Sequence, residues 1–233
     1  MACILNIETS TPVCSVSLSA DGNLLFERCD REGPSHAVVL GVFVQEALAY
    51  LHDEGLTLDA VAVSCGPGSY TGLRIGVSMA KGLCFARDLP LIAIETTKIM
   101  AALVIDKGLA DKEALLCPMI DARRMEVYAA LYNTALEKVR DTQADIVDAD
   151  TYASYLKTGK VLFFGNGAAK CKEAIAAADA VFIDNIHPMA SAMNRLSEEA
   201  FNKEAFENTA YFEPFYLKEF VATKAKNKVL NQQ

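Results

Sequence analysis

The sequence lacks the residue patterns of the common phosphate-transfer and hydrolytic enzymes. A Walker A loop has the spacing G-x-x-x-x-G-K-[ST], but Thr71 stands where the second glycine after Gly66 should be, and Gly72 is followed by Leu73 instead of a lysine. The dinucleotide pattern G-x-G-x-x-G fits Gly66 and Gly68 and then fails at the same threonine. A G-x-S-x-G nucleophile motif is also missing. We therefore predict no catalytic residue in this chain.

Metal ligands at useful spacing are lacking as well. The three histidines, His36, His52 and His187, form no pair at i, i+3 or i, i+4, and none stands at ligand spacing from a cysteine. The seven cysteines contain no C-x-x-C pair, and their number is odd. These features are typical of reduced core cysteines in a cytosolic protein. The sequence thus predicts neither a metal site nor a set of disulfides.

Positive charge is in short supply. The net charge is −8 and the isoelectric point about 5.0, whereas a protein that holds nucleic acid by itself needs clustered Lys and Arg. The basic run Lys224, Lys226, Lys228 indicates a flexible tail over 224–233. No apolar stretch is long enough to span a bilayer, and the opening MACILNIETS predicts a strand rather than a signal peptide. We expect a cytoplasmic protein without membrane contact.

What the sequence does contain is a regular succession of strand and helix patterns. CILNI, VCSVSLS and LLFERCD predict three strands, and Asp21-Gly22 predicts a hairpin turn between the last two. A helix capped by Ser35 is predicted over 36–51, and the strand DAVAVSC then leads into the loop GPGSYTG. A second helix over 71–87 and the strand LIAIE complete the first half.

The second half repeats this order. LLCPMI ends at Asp121, EVYAALY and LEKVRD predict two further strands, and VLFFG precedes a predicted helix over 168–178. Glu8 and Asp121 each close an apolar strand ahead of a strand–turn–strand unit. This correspondence predicts an internal duplication of a βββαβα unit, with the strand-ending turns arranged around a central cleft.

Two glycine-rich turns connect a strand to a predicted helix. A run of backbone N–H groups at a helix start is a natural anion site, so a vestigial nucleotide cleft is one interpretation. The other is that the glycines only turn the chain, with Ser69 or Thr71 as a helix N-cap and the acidic residues capping the turns that follow them. The candidate cleft residues are Glu8, Thr9, Ser10, Gly66, Gly68, Ser69, Asp121, Arg123, Gly165 and Gly167.

The two helices of the first half are apolar on nearly every face. A helix that lies on the sheet of a water-soluble domain should keep one polar face, so the second apolar face predicts cover by another chain. Additional cover from within the same chain is the alternative. Gly76, Ala80 and Cys84 form a row of small residues that would let a partner helix approach. The predicted partner interface comprises His36, Leu40, Phe43, Val44, Ala47, Leu73, Gly76, Val77, Ala80 and Cys84.

Several segments in order resemble one bacterial family. They are ILNIETSTPVCSVSL, the pair Ser35-His36, CGPGSYTGLRIGVSMAKGL, PLIAIETTKIMA and IDARRMEVYAALY, and together they are similar to the TsaB family over about residues 2–132. The resemblance implies a duplicated actin-like (ASKHA, ribonuclease H-like) α/β fold. It also implies a part in making threonylcarbamoyladenosine on tRNA, next to the anticodon, as a non-catalytic subunit.

The same resemblance implies partners. These are the catalytic paralogue TsaD and the ATPase TsaE, with tRNA met only through the complex and a homodimer formed when the chain is isolated. ATP or ADP would bind at an interface of the complex, and this chain alone would bind no cofactor. TsaD proteins hold a metal with two histidines four residues apart, and Thr96 and Met100 occupy those positions here. Neither side chain is a suitable substitute for an imidazole ligand.

The predicted organisation is an N-terminal lobe over 1–102, completed by a segment at about 209–223, and a C-terminal lobe over 103–208. Two further classes of function stay open. One is an ATP-binding phosphotransferase similar to acetate kinase, with Glu8 and the two glycine turns around the nucleotide, which requires tight ATP binding by the isolated chain. The other is a homodimeric structural protein.

Overall fold

The computed structural model describes residues 2–31 and 36–217. Each predicted strand of the first half is confirmed, and the N-cap of the second helix is Ser69, whose side chain accepts a hydrogen bond from the Gly72 N–H at 3.2 Å. Ser35, the predicted cap of the first helix, lies outside the described residues. The first-half elements are β1 (Cys3–Glu8), β2 (Cys14–Ala20), β3 (Asn23–Asp30), α1 (His36–Asp53), β4 (Ala60–Gly66), α2 (Tyr70–Arg87), β5 (Leu91–Glu95) and α3 (Thr96–Asp106).

The second half contains five strands and shorter helices. Its elements are β6 (Leu115–Asp121), β7 (Glu126–Tyr132), β8 (Lys138–Ile146), α4 (Ala153–Leu156), β9 (Val161–Phe164), a 3-10 helix (Ala169–Cys171), β10 (Ala180–Ile183), a second 3-10 helix (Ala190–Met193) and α5 (Asn194–Asn202). Within the described residues, every helix is too short or too polar to cross a membrane.

The strand order shows the duplication directly. One sheet has the order β3-β2-β1-β4-β5 and the other β8-β7-β6-β9-β10. In each sheet the first three strands of the chain pair antiparallel, and the last two add in parallel beside the first. The predicted duplicated actin-like α/β fold is therefore confirmed, with Glu8 and Asp121 at equivalent ends of β1 and β6.

The predicted helix over 168–178 is wrong. Only the 3-10 helix Ala169–Cys171 forms there, followed by turns in which the N–H groups of Ala174 and Ile175 donate to the Cys171 carbonyl. The alanine-rich sequence favours a helix locally, but helix propensity is a weak preference that tertiary packing overrides. Here Ala168, Cys171 and Ile175 are buried in the core of the second lobe, and that packing fixes the irregular path.

Helix α3 lies between the sheets, while the second 3-10 helix and α5 pack on the first sheet. Ile99 and Ala102 of α3 pack with the first sheet, while Met100, Ala101 and Val104 pack with the second. The helix is buried on both sides because each sheet has one face turned toward the other. The predicted lobe boundary between residues 102 and 103 falls inside α3.

The chain after α5 runs back over the first lobe. Glu207 bridges Leu91 at the edge of β5, and the Phe215 N–H donates to the Cys65 carbonyl at 2.7 Å. Lys81 of α2 donates to the carbonyls of Ala210 and Phe212 at 3.2 and 3.0 Å. We call residues 207–217 the strap. The remainder of the predicted returning segment, 218–223, and the predicted tail lie outside the described residues.

Candidate functional site

The glycine-rich loop before α2 packs on the turn that follows β1. Hypothetical Cβ atoms on Gly68 and Gly72 would overlap the carbonyl oxygens of Ser10 and Thr9, and one on Gly76 would overlap the Thr9 hydroxyl. The Thr9 hydroxyl donates to the Gly72 carbonyl at 2.8 Å. Because these glycines have no side chain, the backbone of α2 can pack directly against the turn that follows β1.

The space that these glycines leave is filled by the chain itself. Ser69 N–H donates to the Ser10 carbonyl at 2.6 Å, which uses one of the N–H groups at the helix start. A Cβ on Gly66 would lie 2.7 Å from the Phe215 carbonyl oxygen of the strap. Glycines that admit a phosphate in a nucleotide-binding loop here admit backbone and hydroxyl groups of the same protein.

Glu8 is fully buried at the end of β1. Its Oε1 accepts hydrogen bonds from the Ser10 N–H at 2.6 Å and the Ser10 hydroxyl at 2.5 Å, while Oε2 has no hydrogen-bond partner among the described residues. Burial raises the pKa of Glu8 to about 7, and the bonds from Ser10 offset part of that effect. The carboxyl group therefore holds a proton more readily than an exposed glutamate does.

The corresponding turn of the second lobe is built in a similar way. A Cβ on Gly167 would lie 3.0 Å from the Asp121 nitrogen, and one on Gly165 would overlap the Met119 carbonyl. Asp121 is half exposed and forms an ion pair with Lys170. Arg123 and its neighbour Arg124 both have positive φ, at 71° and 49°, and the Arg123 N–H donates to Asp121 Oδ1 at 3.2 Å.

The structure brings together the predicted cleft residues within each lobe but not across the lobes. Among the described residues, no hydrogen bond or ion pair joins the Glu8 turn to the Asp121 turn. The polar contacts between the lobes lie elsewhere, at residues that the sequence did not single out. Lys138 of β8 donates to both Glu95 oxygens at 2.7 and 3.0 Å, and Thr142 donates to Glu95 at 3.2 Å.

The positions where TsaD-type proteins are expected to hold metal are occupied by packing residues. Thr96 and Met100 are fully buried on α3, and a Cβ on Gly165 would overlap the Met100 terminal methyl group. Within residues 2–31 and 36–217, no group of three His, Cys, Asp or Glu side chains is placed to hold a metal ion. All seven cysteines are unpaired, and five of them are buried.

Most of the predicted interface residues lie in the core of their own lobe, so the prediction is wrong for them. On α1 and α2 the buried positions form one stripe per helix that faces the sheet, whereas a partner can contact only outward positions. His36 is buried too, and its Nε2 donates to the Thr11 carbonyl at 2.7 Å. Phe43 is partly buried against the same core. The inward-facing residues are Leu40, Val44, Ala47, Leu73, Gly76, Val77, Ala80 and Cys84.

The outward face of α2 forms an apolar groove with the start of α1. The groove has a volume of about 670 Å³, and its lining includes Ala37, Ile75, Met79, Gly82 and Leu83. Beside it on the two helices, Val38, Val42 and Phe85 have exposed fractions of 75%, 49% and 89%. The residues that the sequence analysis selected form the inward stripe of α1 and α2, and docking of a partner on these helices stays a prediction. The outward stripe is what remains on each helix once the buried positions are assigned to the sheet.

Comparison with known proteins gives the family. The family model described as TsaD, tRNA N6-adenosine threonylcarbamoyltransferase, matches residues 32–229. The tRNA threonylcarbamoyladenosine biosynthesis protein TsaB of Bacillus subtilis is 32% identical over 176 residues, 74% of this chain and 74% of that protein. The chain belongs to the TsaB family. The TsaB protein of Escherichia coli is 40% identical over 131 residues, 55% of this chain and 54% of the relative, so that match spans about half of its length.

A solved structure supports the fold of this TsaB family member. A Pseudomonas aeruginosa protein, described as uncharacterised with similarity to the peptidase YeaZ, superposes with a TM-score of 0.81 at 24% identity. The superposition covers 94% of this chain and 100% of that protein. At this identity the likeness shows the shared fold.

Proposed function

We propose that this chain is a non-catalytic, activating subunit in the synthesis of threonylcarbamoyladenosine on tRNA, and that it docks a TsaD-type catalytic subunit. The names of the curated relatives support the pathway. The observation that carries the docking role is the apolar groove on α2, because an outward apolar groove on a soluble lobe is typical of a protein contact.

The packing of the glycine-rich loop supports a role without catalysis. The backbone space that a nucleotide would need beside Gly68 and Gly72 is taken by the Thr9 and Ser10 carbonyls. Glu8, at the end of the strand whose following turn packs on this loop, is fully buried. The same packing argues against the phosphotransferase alternative, which needs an open site for ATP next to these residues.

We propose the remaining partners from the resemblance to the TsaB family. A TsaE-type ATPase would join the pair, tRNA would be bound through the complex, and ATP or ADP would bind at an interface between subunits. An isolated preparation would form homodimers through the same groove, because the groove exposes apolar surface that water solvates poorly.

The test is an arginine placed inside the groove without disturbing the lobe. Gly82 lines the groove, and a Cβ built there has no heavy atom within 4 Å, so Gly82→Arg should fold normally. We expect it to weaken binding to the TsaD-type subunit of the same organism at least tenfold in calorimetric titration. An arginine at Ala80 is unsuitable because Ala80 is fully buried in the lobe.

The matched control is Ala49→Arg, which adds the same charge to an exposed position of α1 about three turns from Ala37, outside the groove lining. It should bind like the wild type. If Gly82→Arg and the wild type bind equally well while both are folded by circular dichroism, the docking surface lies elsewhere.

A further inference from the structure

One residue distinguishes the groove from a plain apolar surface. Of the described residues that line it, Arg74 is the one that carries a charge. Its Nη1 donates to the Tyr70 hydroxyl at 2.6 Å, and its guanidinium carbon lies 5.3 Å from the Tyr70 ring centroid. The Tyr70 ring packs in turn against Tyr216 of the strap, with centroids 5.0 Å apart. These contacts hold the guanidinium at a defined place in the groove wall.

Among residues 2–31 and 36–217, the groups that bond to Arg74 leave most of its hydrogen-bonding capacity unused. An arginine has five N–H donors, and the Tyr70 hydroxyl accepts from one of them. No carboxylate among the described residues forms an ion pair with Arg74, although Glu213 lies near enough to act on the neighbouring Tyr216. Arginine is well suited to binding a carboxylate through two parallel hydrogen bonds.

We propose that Arg74 determines which partner occupies the groove, and that the docking face of that partner presents a carboxylate surrounded by apolar side chains. This inference rests on the proposed function, since it concerns the same docking surface. The carboxylate of such a partner would form an ion pair with the Arg74 guanidinium as docking removes both charged groups from water.

A second copy of this chain does not meet that requirement. In a two-fold symmetric contact each groove faces the other, and the described residues that line the groove include no acidic side chain. Arg74 of both copies would then be covered without a partner, which is costly for a charged group. Arg74 thus favours the heterodimer both by attraction to the correct partner and by opposing self-association.

The experiment replaces Arg74 with Met, which keeps an unbranched, apolar side chain and removes the charge. We expect Arg74→Met to bind the TsaD-type subunit of the same organism at least tenfold more weakly in calorimetric titration. Its own homodimer should become at least threefold tighter in sedimentation equilibrium. Added salt should weaken the wild-type heterodimer more than the variant heterodimer, because only the wild type retains the ion pair.

The matched control is Arg87→Met, which removes the same charge from an exposed position of α2 outside the groove lining. It should leave both equilibria unchanged. A folded Arg74→Met variant that binds the partner as the wild type does, or that shows the same losses as Arg87→Met, overturns the role of Arg74 alone. If the wild type itself fails to bind the TsaD-type subunit, the proposed function and this inference both fall.

Discussion

The two lobes share one sheet topology and cover it by different means. In the first lobe α1 and α2, with 18 residues each, lie on the sheet and turn an apolar groove outward. In the second lobe the same two connections contain the four-residue helix α4 and the three-residue 3-10 helix. Large side chains cover that sheet instead. Tyr152 and Phe163, for example, are in edge-to-face contact with their ring centroids 5.2 Å apart. The sheet can therefore be buried without long helices.

This difference indicates what the long helices are for. If packing on the sheet were their whole role, short connections like those of the second lobe would suffice. Packing on the sheet does not explain the exposed apolar residues of α1 and α2, which water solvates poorly. We attribute their presence in the first lobe to docking, and we regard the second lobe as the one closed by its own side chains.

The largest expected effect comes from opening that closed lobe. Asp145 is 9% exposed and accepts hydrogen bonds from Arg140 Nη2 at 2.5 Å and from the Tyr152 hydroxyl at 2.6 Å. Asp145→Ala leaves Arg140 buried without its partner, which costs about 3–5 kcal/mol of unfolding free energy. Urea denaturation of the wild type and the variant measures this loss of unfolding free energy.

The control for this prediction removes both charges. An Arg140→Met, Asp145→Leu double variant should recover much of the lost stability, since a buried ion pair can be replaced by apolar groups of similar size. A single variant that loses less than about 1 kcal/mol would show that the cluster does not hold the lobe closed.

Next in size is a pH effect on the turn beneath α2. The pKa of Glu8 rises to about 7 on folding because of burial, so near pH 6 the folded protein holds a proton that the unfolded chain releases. The stabilisation that this bound proton gives the folded protein is fully present below the pKa of Glu8 in the unfolded chain, and it is lost as the pH rises through about 7. The loss amounts to about 3 kcal/mol.

Glu8→Gln removes this titration. We expect the variant to unfold at a higher temperature than the wild type at pH 8, with the difference shrinking toward pH 5, where both side chains are neutral in the folded protein. Calorimetric scans at pH 5, 6, 7 and 8 measure the trend. A constant difference across this range would mean that Glu8 does not titrate there.

Sequence patterns predicted the strands β1 to β9, the duplication and the two long helices because each depends on local alternation or on motifs, but they missed the four-residue strand β10. They did not predict α3, because its sequence follows LIAIE without a turn signal and its two buried sides face different sheets. They also assigned a regular helix to 168–178, where burial of Cys171 and Ile175 decided the path.

For the candidate sites too, the sequence predicted the local motifs but not the contacts that form only in the fold. The sequence identified the residues of the glycine turns but left open whether a ligand or the chain fills them, because Ser10 and Gly68 are far apart in sequence and meet only in the fold. It predicted α1 and α2 as interface helices but selected the buried stripe of each helix, which on α2 contains the small residues Gly76, Ala80 and Cys84. Small residues permit close packing against any neighbour, and in this case the neighbour is the chain's own β1 turn.

The smallest expected effects compare two glycines on opposite faces of α2. Gly76→Ala places a Cβ against the Thr9 hydroxyl and should destabilise the protein by about 1–3 kcal/mol, as overpacking usually does. Gly82→Ala meets no heavy atom within 4 Å and should stabilise it by about 0.5–1 kcal/mol, since alanine restricts the unfolded chain. Thermal unfolding of both variants, with Thr9→Ala added to Gly76→Ala as a rescue, makes the comparison. If the two glycines respond alike, the inward and outward faces of α2 are not distinct, and the groove loses its physical basis.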